Sequence, residues 1–233
     1  MIFQFFHAGL LLDISGFTSP TGPDHSTQIM QIKLDQLSTS ATYFTLTQTV
    51  LPRPVAWILS ENQESNFNLA PFSYFNAVCS DPPLLMVSIG KQTDGREKDT
   101  IRNIKARSKF VVHIASCDQL NELNQSAETL PPGVSELDEI GLKTTLIDGF
   151  PVPRITECKV AFFCDRYDIQ TIGNNGDSLL FAKVNEIYVN DGCVEINNNG
   201  RVVIDANIVQ PLARLGAGEY ANFGKIMTAK RPS

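Results

Sequence analysis

Short apolar runs rich in β-branched residues alternate with polar turns along most of the chain. The runs Val55–Ser60, Leu84–Ile89 and Phe110–Ala115 have the length and composition of largely buried strands. Two longer runs, Lys159–Ile172 and Ser178–Val189, flank the sequence GNNGD, in which Asn and Gly supply the positive φ angles that tight turns need. The pattern therefore predicts strands that are joined mainly by hairpins.

Helical spacing is confined to a few short segments. Ile101 and Ile104 share one face of a helix predicted over residues 99–107, and a second helix is predicted over residues 118–128. The segment Ser135–Ile140 has room for one or two helical turns. Because few helices are available to cross over between successive strands, the pattern favours a mainly β fold, an antiparallel barrel with a few peripheral helices.

Composition narrows the class of protein and of partner. The chain has 233 residues, of which 42% are hydrophobic and 19% charged, which is typical of a globular protein. A net charge of -6 argues against nucleic acid as a partner, because binding there is dominated by Lys and Arg contacts to phosphates. A small phosphorylated ligand needs only one local pocket and stays compatible with this charge. No apolar run is long enough to span a membrane, so we expect no membrane partner.

The five cysteines indicate a reducing environment. They lie far apart, and no C-x-x-C motif occurs, so neither a disulfide framework nor a zinc site is expected. Reduced thiols in a cytoplasmic protein without a bound metal are the simpler interpretation.

The first 29 residues differ from the rest of the chain. The apolar start lacks a positive n-region and is interrupted by His7 and Asp13, so it does not match a signal peptide. A polar stretch over residues 18–29 precedes Met30. We expect residues 30–233 to form the folded domain and residues 1–29 to be an N-terminal extension or a mis-assigned start.

Common catalytic motifs are missing from the sequence. There is no dinucleotide-binding fingerprint, no P-loop and no G-x-S-x-G elbow. His113 lies between apolar neighbours, which favours a structural, hydrogen-bonded histidine over a catalytic one. The residues alone identify no catalytic side chain.

Lys98, Asp99 and Thr100 directly precede the helical spacing of residues 99–107. One interpretation is capping, in which Asp99 accepts a backbone N–H of the first turn. The other is an anion site, because free N–H groups, a hydroxyl and an ammonium at a helix start suit a phosphate. This stretch by itself leaves both open, with capping the commoner arrangement.

Several segments in order resemble one known family. RPVAWILS (53–60), NLAPFSYFNAVCSDPP (68–83) and KDTIRNI (98–104) resemble the flavin reductase-like FMN-binding split-barrel family. LPPGVSELDEIGL, PRITECKVAFFC and PLARLGAGEYANFG follow in the family's order, and the resemblance covers roughly residues 31–223. It implies an antiparallel split β-barrel and a homodimer with FMN near the interface.

The resemblance also implies a set of flavin contacts. The residues concerned are Arg53, Asn68, Ala70, Ser73, Ser80, Asp81, Lys98, Asp99, Thr100, Arg214 and Tyr220. Lys98 and Thr100 would hold the FMN phosphate, and Asp99 would shape the helix start while still capping it. This moves the interpretation of the KDT stretch toward the anion site.

The segment NLAPFS would contribute further polar groups. Pro71 makes a regular strand unfavourable there, so we expect a bent segment in which Asn68, Ala70 and Ser73 turn polar groups to the ligand. Arg53 is either a second cation near the phosphate or a surface residue paired with a carboxylate.

The remaining flavin contacts come from two turns. Ser80 and Asp81, in a rigid proline-rich turn, would lie against the pyrimidine edge of the flavin. Arg214 and Tyr220 either lie close to the flavin, from the partner subunit in one version, or belong to a C-terminal turn. Ala217 stands where relatives often carry a second glycine, which puts the loop geometry in question.

Three neighbouring aromatic side chains raise the question of flavin stacking. For Phe72, Tyr74 and Phe75 a place in the core or the dimer interface is favoured over stacking on the flavin.

The implied activity is that of a flavin-dependent oxidoreductase. NADH or NADPH would give hydride to N5 of FMN, and the cofactor would carry the chemistry. One alternative is a non-enzymatic FMN-binding electron carrier that uses the same pocket. Another is a split barrel that has lost its flavin, against which the intact KDT and NLAPFS segments argue.

Overall fold

The computed structural model describes residues 31–63, 66–131, 133–222, 224–230 and 232. The chain divides into two compact units, Met1–Leu37 and Ser38–Ser233. The described part of the first unit contains a short 3-10 turn at Leu34–Gln36. The predicted extension over residues 1–29 lies outside the described residues, whereas the second unit holds every strand and α-helix named below.

The second unit is mainly β. Its strands are β1 (Arg53–Pro54), β2 (Ala56–Glu61), β3 (Phe67–Phe72), β4 (Phe75–Ser80), β5 (Pro83–Ile89), β6 (Lys109–Ile114), β7 (Thr144–Ile147), β8 (Phe150–Ile155), β9 (Val160–Ile172), β10 (Asp177–Val189), β11 (Val194–Ile196), β12 (Val202–Ile204), β13 (Ala213–Arg214) and β14 (Tyr220–Ala221). Its helices are α1 (Thr39–Thr49), α2 (Asp99–Arg107), α3 (Leu120–Gln125), α4 (Glu136–Ile140) and α5 (Ala206–Val209), with 3-10 turns at Cys117–Gln119 and Asp191–Cys193. In the residues described, no helix has the length and apolar character needed to cross a membrane.

A seven-stranded antiparallel sheet forms the centre of this unit, in the order β3-β2-β6-β9-β10-β5-β4. The predicted hairpin of β9 and β10 is confirmed, and it contributes the two longest strands. The two edge strands, β3 and β4, follow each other in the chain and are linked through Ser73 and Tyr74. The N–H of Ser88 on β5 donates to the carbonyl of Tyr74 at 2.9 Å. The sheet therefore returns on itself, with edges that are covalently linked but not paired to each other.

Strand β2 shows how the core is divided between the two faces of the sheet. Ala56 and Ile58 belong to an inner cluster that also takes residues from α2, while Trp57 and Leu59 belong to an outer cluster that includes residues of α3 and β8. The inner cluster comprises Ala56, Ile58, Phe72, Leu85, Val87, Ile89, Ile101, Ile104, Phe110, Val112, Cys164, Leu180 and Ala182. The outer cluster comprises Val55, Trp57, Leu59, Leu69, Val111, Ala115, Leu123, Leu137, Val152, Ile155, Cys158, Ala161, Phe163 and Leu212. Because side chains alternate between faces, a strand covered on both sides is an unbroken apolar run.

His113 is a structural residue, as predicted. It is fully buried on β6, its Nδ1 lies 3.1 Å from the carbonyl oxygen of Trp57, and its Nε2 accepts the N–H of Ile155 at 2.9 Å. Since Nε2 accepts, the ring proton lies on Nδ1 and is donated to Trp57. Burial lowers the pKa of His113 to about 4, and the nearby charge of Arg154 acts in the same direction. The imidazole is therefore neutral at physiological pH.

Helix α1 was not predicted from the sequence. Its sequence, TSATYFTLTQT, is rich in β-branched threonine, which is a poor helix former. The Ser38 side chain caps the helix by accepting the Ala41 N–H at 3.2 Å, and the hydroxyls of Thr45 and Thr49 bond to carbonyls one turn earlier. The Ser38 cap satisfies one free N–H of the first turn, and the threonine bonds satisfy hydroxyls that would otherwise compete with the helical backbone.

The prediction of a bent segment from Asn68 to Ser73 is wrong for most of its length. Phe67–Phe72 is the regular strand β3, in which Pro71 stands opposite Trp57 of β2. A proline is tolerated there because β3 is an edge strand and needs hydrogen bonds on one side alone. The chain departs from strand geometry at Ser73 and Tyr74, between β3 and β4.

Candidate functional site

A cavity of about 710 Å³ opens beside the link between β3 and β4. Its other walls come from the loop that joins β5 to α2, the turn between β9 and β10, and the C-terminal strands β13 and β14. A volume of this size is within the range of small-molecule and cofactor sites. The cavity is therefore the place in this unit where a ligand is expected.

The charge of the cavity is opposite to that of the chain. The charged side chains that line it are Lys91, Lys98 and Arg214 against Asp177. The whole chain carries a net charge of -6, so this local excess of cations is a feature of the site. An anionic ligand is favoured.

Aromatic side chains line the same cavity. Phe72 lines it and also packs in the inner cluster, whereas Phe75 packs against that cluster, so the prediction of a core position is confirmed for both. The rings of Tyr43 and Tyr74 lie 6.2 Å apart, and both side chains are exposed. Together with Tyr220 they give the cavity walls that a planar ring system could contact.

A smaller cavity of about 90 Å³ adjoins the larger one at the first turn of α2. Pro71, Gln92, Lys98 and Ala127 line both cavities. The start of α2 therefore lines both the wider cavity and the narrower one.

The capping prediction for Asp99 is wrong. The N-cap of α2 is Lys98, and no side chain caps the helix there. Asp99 is the first helical residue, and its Oδ1 pairs with Nη2 of Arg102 at 2.5 Å. In the part of the chain that is described, the N–H groups of Asp99 and Thr100 meet no hydrogen-bond acceptor. Such free donors at a helix N-terminus favour an anion.

The Lys98 ammonium has no protein partner among the described residues. It is exposed within the open cavity, and its Nζ lies 5.5 Å from the centroid of the Phe72 ring. The cavity walls lower the pKa of Lys98 below the usual lysine value by partial desolvation. A cation in this position can be paired by a ligand.

Thr100 and Asn68 form a buried pair beside that ammonium. The Asn68 Nδ2 donates to Thr100 Oγ1 at 3.0 Å, and both residues are almost fully buried. Because the hydroxyl oxygen accepts this bond, its own proton remains available to the small cavity, which Thr100 lines. Asn68 lines neither cavity and acts through Thr100, whereas Ala70 is part of the small cavity's wall.

The C-terminal residues reach the larger cavity. Arg214 on β13 and Tyr220 on β14 both line it, as Ser73 does, and the Arg214 guanidinium lies 4.5 Å from the centre of the Tyr220 ring. Arg214 also donates a hydrogen bond to the carbonyl of Ala217. These residues form a turn and also line the cavity, and their closeness to a flavin stays a prediction. Ala217 adopts a φ of 50°, the left-handed region that favours glycine.

Residues 48–202 match the family model described as a flavin reductase like domain. This chain belongs to that family. The protein YwrF of Bacillus subtilis is 35% identical over 203 residues, which cover 85% of this chain and 97% of YwrF.

Two solved structures share the fold over most of their length. Nitrilotriacetate monooxygenase component B from Bacillus cereus superposes with a TM-score of 0.80 at 30% identity, covering 88% of this chain and 100% of that one. The 2-nitrobenzoate 2-nitroreductase NbaA of Pseudomonas fluorescens gives a TM-score of 0.77 at 27% identity, covering 87% and 96%. The split β-barrel predicted from the sequence is confirmed, and a flavin-related function is supported.

In this flavin reductase-like chain, Arg53 lines neither cavity. The side chain is buried. Its guanidinium donates to the carbonyls of Thr47 at 2.5 Å, Val50 at 2.8 Å and Leu215 at 2.7 Å. The Ser73 Oγ lies 3.5 Å from Nε. The alternative of a surface arginine paired with a carboxylate is wrong. The residue connects the end of α1, strand β1 and the C-terminal segment.

Ser80 and Asp81 are also away from both cavities. Ser80 is the last residue of β4 and Asp81 belongs to the turn that leads to β5. Both are exposed, and their contact with a flavin stays a prediction. No group of His, Cys, Asp and Glu side chains within the described ranges is arranged to hold a metal ion.

Several cavity residues were not identified from the sequence. They are Tyr43, Ser88, Gly90, Lys91, Gln92, Thr93, Gly95, Asn124, Ala127, Asn175 and Asp177 in the larger cavity, and Ser126, Glu128, Thr129, Leu130 and Glu136 in the smaller one. The stretch from Gly90 to Gly95 directly precedes the KDT helix start, which was a usable signal. The remainder come from turns, helices and strand β5, and their sequence carries no ligand-binding pattern.

Proposed function

We propose that this chain binds FMN and works as an NAD(P)H-dependent flavin reductase. The observation that carries the proposal is the unpartnered ammonium of Lys98 at the start of α2, facing a cavity of about 710 Å³. Membership of the flavin reductase-like family supports a flavin as the ligand.

The first turn of α2 would hold the phosphate. Lys98 Nζ, the Thr100 hydroxyl and the N–H groups of Asp99 and Thr100 are donors without another acceptor in the described structure. Hydrogen bonds from charged groups are worth about 1.5–3 kcal/mol each. Asn68 would fix the direction of the Thr100 hydroxyl, and Ala70 would shape the narrow part of the cavity.

The wider part of the cavity would hold the ring system. Arg214, Tyr220 and Ser73 line it beside the exposed rings of Tyr43 and Tyr74. Bound FMN would supply a hydride acceptor at N5, a chemistry that no side chain of this site offers. The open side of the cavity leaves access for the nicotinamide of NADH or NADPH.

A second copy of the chain would cover an exposed apolar surface on α1 and around β4. The exposed large hydrophobic side chains Tyr43, Phe44, Val50, Tyr74 and Val78 lie on α1 and around β4. An apolar surface of this kind marks an interaction site. A homodimer with FMN near its interface accounts for it, and light scattering at micromolar concentration tests it. A monomer would contradict the homodimer.

We propose that the protein is located in the cytoplasm. Cys79, Cys117, Cys158, Cys164 and Cys193 are all free thiols, which persist in a reducing compartment.

The similar structures favour a reductase over an electron carrier. The Bacillus cereus protein is named as a component of a monooxygenase, and the Pseudomonas fluorescens protein as a nitroreductase. Both names are those of enzymes or enzyme components, so an oxidoreductase is the better supported class. The electron carrier remains the alternative.

Anaerobic addition of NADH, and then of NADPH, to FMN-loaded protein separates the two. We expect the flavin absorbance to bleach rapidly with at least one donor. Bound FMN that neither nucleotide reduces, but that a redox protein does reduce, would overturn the reductase in favour of the carrier. Protein that binds no FMN would overturn both.

A further inference from the structure

The small cavity at the start of α2 contains a buried carboxylate that the function above does not use. Glu136 is the first residue of α4 and is 8% exposed. Its Oε2 accepts the N–H of Leu69 on β3 at 3.0 Å. Glu136 lines the same cavity of about 90 Å³ as Lys98 and Thr100. The carboxylate is therefore a neighbour of the proposed phosphate position.

The charges around this cavity do not neutralise Glu136. Lys98 is the single cation among the residues that line the small cavity, against the carboxylates of Asp99, Glu128 and Glu136. Asp99 is paired with Arg102, whereas no cation of the described residues pairs with Glu136. A phosphate in the cavity would have to share the electrostatic attraction of the Lys98 ammonium with the Glu136 carboxylate.

Two further carboxylates lie on the same helix as Glu136. Asp138 and Glu139 are exposed on α4 and line neither cavity. Burial raises the pKa of the Glu136 carboxyl, and the charge of Asp99 adds to the rise. Since the carboxyl loses its charge more readily than an exposed one, any repulsion from it weakens in acid.

We infer that Glu136 opposes the flavin phosphate and thereby limits how tightly this chain holds FMN. The inference rests on the proposed FMN site. An ionised carboxylate and a phosphate that share a cavity of this size repel each other, and the donors of α2 have to overcome that repulsion. Glu136 lowers the preference of the site for a phosphorylated flavin over riboflavin, and it makes the bound flavin easier to exchange.

The test measures dissociation constants for FMN and riboflavin with the full-length protein and the Glu136→Gln variant. Gln keeps an acceptor for the Leu69 N–H but carries no charge. Near pH 8 we expect the variant to bind FMN about tenfold more tightly than the wild-type protein, an effect equal to about one unit of pKa coupling. Riboflavin lacks the phosphate, so its affinity should change less than about twofold. As the pH falls, the gain for FMN should shrink, because the raised pKa of the Glu136 carboxyl makes it lose its charge before an exposed carboxyl does.

Glu139→Gln is the matched control. It makes the same change on the same helix, but the residue is exposed and lines neither cavity. Its affinity for FMN should stay within about twofold of wild type. Glu136→Met repeats the neutralisation with a side chain of similar length if thermal unfolding shows that the Gln variant does not fold.

Two outcomes would overturn the inference while leaving the proposed function intact. One is FMN affinity in Glu136→Gln that is unchanged or weaker near pH 8. The other is an equal gain for riboflavin, which would show that Glu136 acts on the ring or on the fold. Wild-type protein that binds neither flavin would instead remove the proposed function, and the inference with it.

Discussion

Lys98 was predicted as a cation of the phosphate site, and Arg53 as either a second such cation or a surface residue. The two side chains lie in opposite surroundings. Arg53 is buried, and backbone carbonyls of α1 and the C-terminal segment accept its N–H groups. Lys98 is exposed in a cavity and has no protein acceptor within the described ranges. A cation whose donors are already satisfied holds the fold together, whereas one without an acceptor can bind a ligand.

The chemistry of the two side chains fits this division. The planar guanidinium of Arg53 presents several fixed donors, which suits three carbonyls that arrive from different directions. The Lys98 ammonium is a compact charge on a flexible stem, and it can adjust to a phosphate. The contrast predicts that substitution at Arg53 affects stability first and that substitution at Lys98 affects ligand binding first.

Removing the Arg53 guanidinium should have the largest effect. Arg53→Ala leaves the carbonyls of Thr47, Val50 and Leu215 without this donor, at a cost of about 1–3 kcal/mol for each group that stays buried. We expect the free energy of unfolding to fall by about 3–5 kcal/mol in urea denaturation. Arg53→Lys should recover part of the loss. A decrease below about 1 kcal/mol would contradict the structural role.

His113 resembles Arg53 in that its buried polar atoms all have hydrogen-bond partners within the protein. Its effect should therefore be on stability, and it should depend on pH. Its pKa of about 4 in the folded protein is below the ordinary value of 6.5, so between these values the unfolded chain binds more protons. His113 should therefore make its full contribution to the free energy of unfolding above about pH 6.5. That contribution should decrease by about 3 kcal/mol as the pH falls to about 4. His113→Gln should lack this part of the decrease. An equal decrease in the variant would show that other groups cause it.

Lys98→Ala should reverse the pattern seen at Arg53. We expect FMN binding to weaken about ten- to a hundredfold, or about 1.5–3 kcal/mol, while the free energy of unfolding of the flavin-free protein changes by less than about 0.5 kcal/mol. Flavin fluorescence titration measures the first quantity and urea denaturation the second. Lys105→Ala, on the same helix and paired with Glu97, is the control and should leave FMN affinity unchanged. Unchanged affinity in Lys98→Ala would remove Lys98 from the site.

The smallest effect on stability is expected from a substitution in the turn that follows Arg214. Arg214 combines the features of Arg53 and Lys98, because it lines the cavity and also donates a hydrogen bond to the Ala217 carbonyl. Ala217→Gly relieves a φ of 50° without removing that carbonyl. The free energy of unfolding should rise by about 0.5–1 kcal/mol, with FMN affinity preserved. A loss of stability would show that the Ala217 side chain makes a compensating contact.

The sequence by itself determined the features that depend on neighbouring residues. The turn GNNGD specified the hairpin of β9 and β10, and the unbroken apolar run of β2 indicated a strand buried on both faces. The start of α2 at Asp99 followed from the spacing of Ile101 and Ile104. Turn chemistry and side-chain periodicity act over a few residues, so a single sequence reveals them.

The tertiary structure decided which of the chemically suitable residues reach the cavity. Arg53 bonds to Leu215, which is 162 positions away, and this contact holds its guanidinium among backbone carbonyls and outside the lining of both cavities. Glu136 bonds to Leu69, which is 67 positions away, and this contact brings an unpredicted carboxylate beside Thr100. Spacing along the chain carries no information about such pairs, because packing between distant segments determines which donor meets which acceptor. The sequence therefore specified a flavin reductase-like barrel, and the folded chain alone showed which of its two cations meets backbone carbonyls and which faces a cavity.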